Sequence, residues 1–186
     1  SGSLGTPSAG VATNLPGTAA GLTAGTFTAG SATNLTSGTL PAARTNGHMN
    51  GTATNDSAAA GEVGELMSNS NSASLTTNTP ANVAQITLTA GDWDITGVTS
   101  FAGAGTTVTT DTRCSISATS ATLDTSLGQY FDFRNAAGIT DFFFYPTVGP
   151  LRVSLTGSTT YYLVAQATFT VSTYGASGFI RARRVR

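Results

Sequence analysis

From Thr159 onward the chain alternates apolar and polar residues with a period of two. Tyr161, Leu163, Ala165, Ala167, Phe169 and Val171 fall on one face, and Tyr162, Gln166, Thr168 and Thr170 mostly on the other. Alternation of this kind, in a stretch free of Gly and Pro as far as Tyr174, predicts a long half-buried strand. The small, turn-permissive segment Ser172–Gly178 follows, and Phe179–Val185 begins a second run. The expected outcome is a terminal β-hairpin, the second run folding back on the first.

Shorter runs of the same character precede it. Val83–Thr89 sets Val83 apart from Ile86 and Leu88, and Asp92–Val98 alternates Asp92 and Asp94 with Trp93 and Ile95. Further runs cover Thr106–Thr110, Arg113–Thr119, Gln129–Phe133, Phe142–Tyr145 and Leu151–Leu155. Strands at such short spacing, with no long amphipathic helix between them, predict an all-β fold in which residues 75–186 form an antiparallel β-sandwich. Residues 56–74 read as a turn-rich junction, where a short helix over Ala58–Met67 is weakened by Gly61 and Gly64.

Residues 4–55 have a different texture. Ala9-Gly10-Val11-Ala12-Thr13-Asn14-Leu15 recurs twenty residues later as Ala29-Gly30-Ser31-Ala32-Thr33-Asn34-Leu35. Large apolar side chains are too sparse here for one copy to exclude water. Three copies around an axis could bring the spaced leucines together, which makes a repetitive fibre shaft one reading and a Gly/Ser/Thr linker the other. Ser1-Gly2-Ser3 reads as an expression scar and stays outside the fold argument.

Composition narrows the function. Charged residues are 9% and the net charge is −1, so there is no overall field to attract nucleic acid, and no apolar run reaches membrane-spanning length. Neither a nucleic-acid partner nor membrane insertion is expected. All eight basic residues are Arg, and Arg181, Arg183, Arg184 and Arg186 crowd the C-terminus. The single Cys114 cannot form an intrachain disulfide and suits a small buried hydrophobe.

Candidate chemistry is thin. Glu62 and Glu65 lack a readable partner for acid–base work, and His48 sits in an Asn/Gly context that suits a surface side chain. Asp92 and Asp94 face away from the core, and two carboxylates on a strand make an incomplete oxygen cage for calcium. No catalytic residue, metal site or cofactor is expected. The aromatic cluster Tyr130, Phe131, Phe133, Phe142, Phe143, Phe144 and Tyr145 supplies rings to both faces of its strands, so one face is expected to be covered by another subunit or to serve as a ligand platform. A loop beside it carrying Asp132, Arg134, Asn135 and Asp141, with Tyr130, would suit sugar recognition, because charged and amide groups fix hydroxyls while rings stack on the pyranose.

Four segments carry a resemblance: Gly61-Glu62-Val63-Gly64-Glu65, Leu88–Ile95 (LTAGDWDI), Tyr161–Phe169 (YYLVAQATF) and Gly178–Arg186 (GFIRARRVR). Over about residues 60–186 the chain resembles the C-terminal region of bacteriophage tail fibre and related virion fibre proteins. The resemblance implies a homotrimer with a slender shaft and a jelly-roll-like head, carried on the phage particle and contacting other virion proteins. Its expected work, outside the cell, is non-enzymatic adhesion to a glycan or protein of the bacterial surface. The competing expectation is a purely structural virion protein, such as a capsid decoration or head fibre. A glycan-degrading tailspike would need a groove with paired acids, which is not readable here. Under the fibre reading Arg181, Arg183, Arg184 and Arg186, with Tyr162, are expected at a subunit contact, the arginines pairing with Asp92, Asp94 or other carboxylates of a neighbour.

Overall fold

The computed structural model describes residues 57–186. The repeat of residues 4–55 and His48 lie outside the described residues. Among the described residues every regular element is a strand: β1 (Leu66–Leu75), β2 (Ala81–Leu88), β3 (Gly91–Gly103), β4 (Val108–Ser117), β5 (Tyr130–Thr140), β6 (Phe143–Phe144), β7 (Thr147–Leu155), β8 (Thr159–Thr170) and β9 (Tyr174–Arg184).

The strands form two antiparallel sheets. Sheet A runs β1-β9-β3, with β6 and β7 sharing the far edge of β3, and sheet B runs β2-β8-β4-β5. Most connections pass from one sheet to the other; β4–β5 and β6–β7 stay within one. The inner faces meet in a core of Trp93, Ile95 and Phe101 from β3, Cys114 and Ile116 from β4, Leu163, Ala165 and Ala167 from β8, and Ala176, Ile180 and Ala182 from β9. These positions follow the two-residue period, so burying one face of each strand removes its apolar half from water and leaves the polar half outside. Packing between the sheets is close enough that a Cβ on Gly178 would stand 2.7 Å from Leu163 Cδ2.

Three sequence expectations are corrected. The terminal hairpin does not form: β8 pairs with β2 and β4, while β9 pairs with β1 and β3. Each strand lies at the centre of its own sheet, and their apolar faces meet across the core, which serves burial better than lying side by side. The junction of residues 56–74 contains all of β1 except its last residue, so the sandwich begins before Leu75. Ala58–Glu65 forms successive turns in place of a helix, closed by Glu62 N donating to Ala59 O at 3.0 Å and Glu65 N to Glu62 O at 3.1 Å. The uneven spacing of Val83, Ile86 and Leu88 has a local cause. A register shift between Asn82 and Ala84 lets all three reach the core.

The aromatic run divides by alternation. Phe142 and Phe144 turn toward Phe133 (ring centroids 5.2 and 5.5 Å apart), and Phe144 lies 5.3 Å from Phe131. This stack joins β5 of one sheet to β6 of the other and closes that side of the sandwich. Phe143 and Tyr145 point the opposite way and stay exposed.

Candidate functional site

Antiparallel pairing of β4 with β5 sets two tripeptides of one pattern side by side. Asp111-Thr112-Arg113 runs against Asp132-Phe133-Arg134, with Asp111 opposite Arg134 and Arg113 opposite Asp132. Thr112 and Phe133 turn inward, so the four charged residues share the outer face of sheet B. Arg113 pairs with Asp111 and, at 3.4 Å, with Asp132, while Arg134 binds Asp132 at 2.7 Å and approaches Asp111 at 3.9 Å. Arg113 also reaches Gln166 Oε1 at 3.5 Å, and Gln166 in turn donates to Asn78 O at 2.7 Å.

The four charges cancel but differ in setting. The hydrogen bond from Arg134 holds the Asp132 carboxyl below its ordinary range. Burial pushes Asp111 upward in spite of its arginine neighbours. Burial, then the charge of Asp132, raises the Tyr130 hydroxyl. Arg134 is the most accessible member, its side chain 67% exposed. The result is an outward patch of alternating donors and acceptors.

The expected loop is corrected to the strand β5, which holds Asp132, Arg134 and Asn135. Tyr130, Asp132 and Arg134 are brought together on its outer face, whereas Asn135 and Asp141 are not part of the patch. Asn135 to Gly138 bulge opposite the single Thr110, and the Asn135 side chain is occupied by Ala137 N at 3.0 Å. Asp141 lies beyond the end of β5 with φ +56°. Asp111, Arg113, Gln166 and Asn78 were missed. The repeated Asp-x-Arg pattern was a signal for the first two, since residues two apart on a strand share a face.

The terminal arginines separate. Arg184 is buried (5% exposed) and donates to Glu65 Oε2 at 2.9 Å, Ala90 O at 2.7 Å and Thr89 Oγ1 at 2.6 Å within its own chain. The expectation that it pairs across a subunit boundary is corrected on that ground: its guanidinium is enclosed and bonded. Arg186 pairs with Asp92 at 2.9 Å, and Arg152, outside the terminal cluster, pairs with Asp94 at 2.5 Å, so both aspartates have partners in the same chain. Arg181 donates to Thr96 Oγ1 at 3.2 Å, and Arg183 has no ion pair among the described residues. Tyr162 stands opposite Gln85 and Ser117 on the outer face of sheet B, away from Arg181 and Arg183 on sheet A.

Glu62 and Glu65 do separate work. Glu62 accepts from Ala59 N, whereas Glu65 accepts from Gly61 N at 2.8 Å and from Arg184. Cys114 is fully buried, and burial pushes its thiol up to about 12. Among the described residues no group of three or more His, Cys, Asp or Glu side chains could hold a metal ion.

A second surface feature lies on the outer face of sheet A. Ser70, Ser72, Val98, Ser100, Ser177 and Phe179 line a shallow groove of about 450 Å³ across β1, β9 and β3. No protein-family model, curated protein or solved structure matches this chain.

Proposed function

We propose that this chain is the head-bearing region of a homotrimeric phage fibre, acting without catalysis to hold the particle to a glycan or protein of the bacterial surface. A jelly-roll head suits the strand order, in which β9 inserts between β1 and β3 while β8 inserts between β2 and β4. The observation that carries adhesion is the outward quartet of Asp111, Arg113, Asp132 and Arg134 with Gln166 beside it. Neighbouring fixed donors and acceptors with no net charge match vicinal hydroxyls of a neutral sugar better than an anionic group, which would have to displace Asp132 from Arg134.

The internal pairing of those four charges also favours a second reading, a structural virion protein whose head binds no receptor. Binding of the purified full chain to host cells and to immobilised surface polysaccharide separates the two. Adhesion predicts saturable binding that Arg134→Ala and Asp132→Ala weaken by about tenfold or more, since a lost buried or bidentate contact costs on the order of 1.4 kcal/mol or above. Absence of binding to every host tried supports the structural reading, and release of reducing sugar would show an enzyme instead.

A further inference from the structure

The outer face of sheet A carries two features that one chain cannot bring together. One is the serine-floored groove with Val98 and Phe179 on its walls. The other is a rim at the edge of the same face, where Phe143, paired with Ala102, is 52% exposed and Tyr145 66% exposed. Their neighbours Phe142 and Phe144 are packed in the aromatic stack, so the exposure of Phe143 and Tyr145 is a property of this rim and not of the segment. Groove and rim lie side by side on one sheet face, which prevents the rim from entering the groove of its own chain.

We propose that the rim of one copy seats in the groove of the next, a contact that rests on the homotrimer reading above and closes into a ring of three. Charge supports this occupant. Arg181 and Arg183, next to the groove on β9, have no ion pair among the described residues, and neither has Asp141, two residues before Phe143. Seating Phe143 in the groove brings an acid to a face rich in arginine. The small side chains of the floor let backbones approach, and the partly exposed Phe179 gives an inserted ring an aromatic wall. Because rim and groove are different patches, the contact is heterologous, the kind that builds rings.

The test uses the full chain, with mass read by native mass spectrometry and sedimentation over a dilution series. The wild type is expected to be a trimer. Phe143→Asp and Phe179→Asp should raise its dissociation constant roughly thirtyfold or more, the size of a hot-spot loss, with circular dichroism unchanged because both rings are already solvent-facing in one chain. Arg181→Asp with Arg183→Asp should weaken assembly, and adding Asp141→Arg should restore it. A wild-type trimer indifferent to all these changes overturns the contact while leaving the homotrimer reading intact. A wild-type monomer overturns both, and a dimer broken by Phe143→Asp overturns the ring in favour of a twofold contact.

Discussion

The guanidinium carbon of Arg184 stands 4.3 Å from the centre of the Trp93 ring, and Trp93 donates from Nε1 to Thr89 O at 3.0 Å. Arg184 comes from the end of β9, Trp93 from the start of β3, Glu65 from just before β1, and Thr89 and Ala90 from the β2–β3 turn. One buried cation thus ties the last strand to three earlier parts of the chain. Its charge is tolerated because Glu65, the Trp93 face, a carbonyl and a hydroxyl replace the water it gives up.

Removing the cation leaves a buried carboxylate without its partner. Arg184→Ala is expected to cost about 3–5 kcal/mol of unfolding free energy, read from denaturant midpoints. Arg184→Met combined with Glu65→Leu should recover much of that loss, because neither charge then remains buried. If the double variant is as unstable as Arg184→Ala, the ion pair is not what holds this corner.

Gly91 makes room for the same guanidinium. Its φ is +135°, and a Cβ there would collide with Nη1 of Arg184. Gly91→Ala should therefore destabilise by about 1–3 kcal/mol from the backbone alone, with more from the displaced arginine. Gly178→Ala tests a different limit, overpacking against Leu163, and should cost about 1–3 kcal/mol without any backbone strain. Thermal denaturation of the two variants checks both figures.

Acid should loosen this corner in a defined direction. The backbone hydrogen bond from Gly61, then Arg184, holds Glu65 below its ordinary range. A depressed carboxyl adds stability above its unfolded value and loses it as pH falls through the folded one. The wild type should lose stability below about pH 4.3. Glu65→Gln should be weaker at pH 7 and show a shallower acid loss, so the two denaturation curves converge toward pH 3. Parallel curves would remove Glu65 from the acid response.

Cys114 should be inert while the protein is folded. With its thiol buried and raised to about 12, almost no thiolate exists at pH 8. A thiol reagent should label it only as fast as the chain unfolds, and the rate should rise with denaturant in step with loss of secondary structure.

Much of the strand content was legible because a half-buried strand writes its inner face into the sequence as alternation. Trp93 and Ile95 in β3, and Leu163, Ala165 and Ala167 in β8, are core residues on the expected face. Tyr130, Asp132 and Arg134 read in sequence as neighbours of a flexible loop, and only the strand β5 puts them on one outward face. Nor could alternation supply Asp111 and Arg113, which join them only through the register of β4 against β5, and that register contains a bulge at Asn135 to Gly138.

Alternation alone determined which side of β3 and β8 is buried and where their polar faces lie, although Val171, on the core side by the same pattern, lies past the end of β8 and is exposed. Tertiary structure alone decided what each strand meets. Two strands with apolar faces satisfy the same pattern whether they pair by hydrogen bonds in one sheet or face each other across a core, which is why β8 and β9 read as a hairpin and fold into opposite sheets. The arginine-rich end is the same case. Four similar side chains are indistinguishable in sequence, yet Gly91, Trp93 and Glu65 enclose only Arg184, and they do so because distant segments converge there and exclude water.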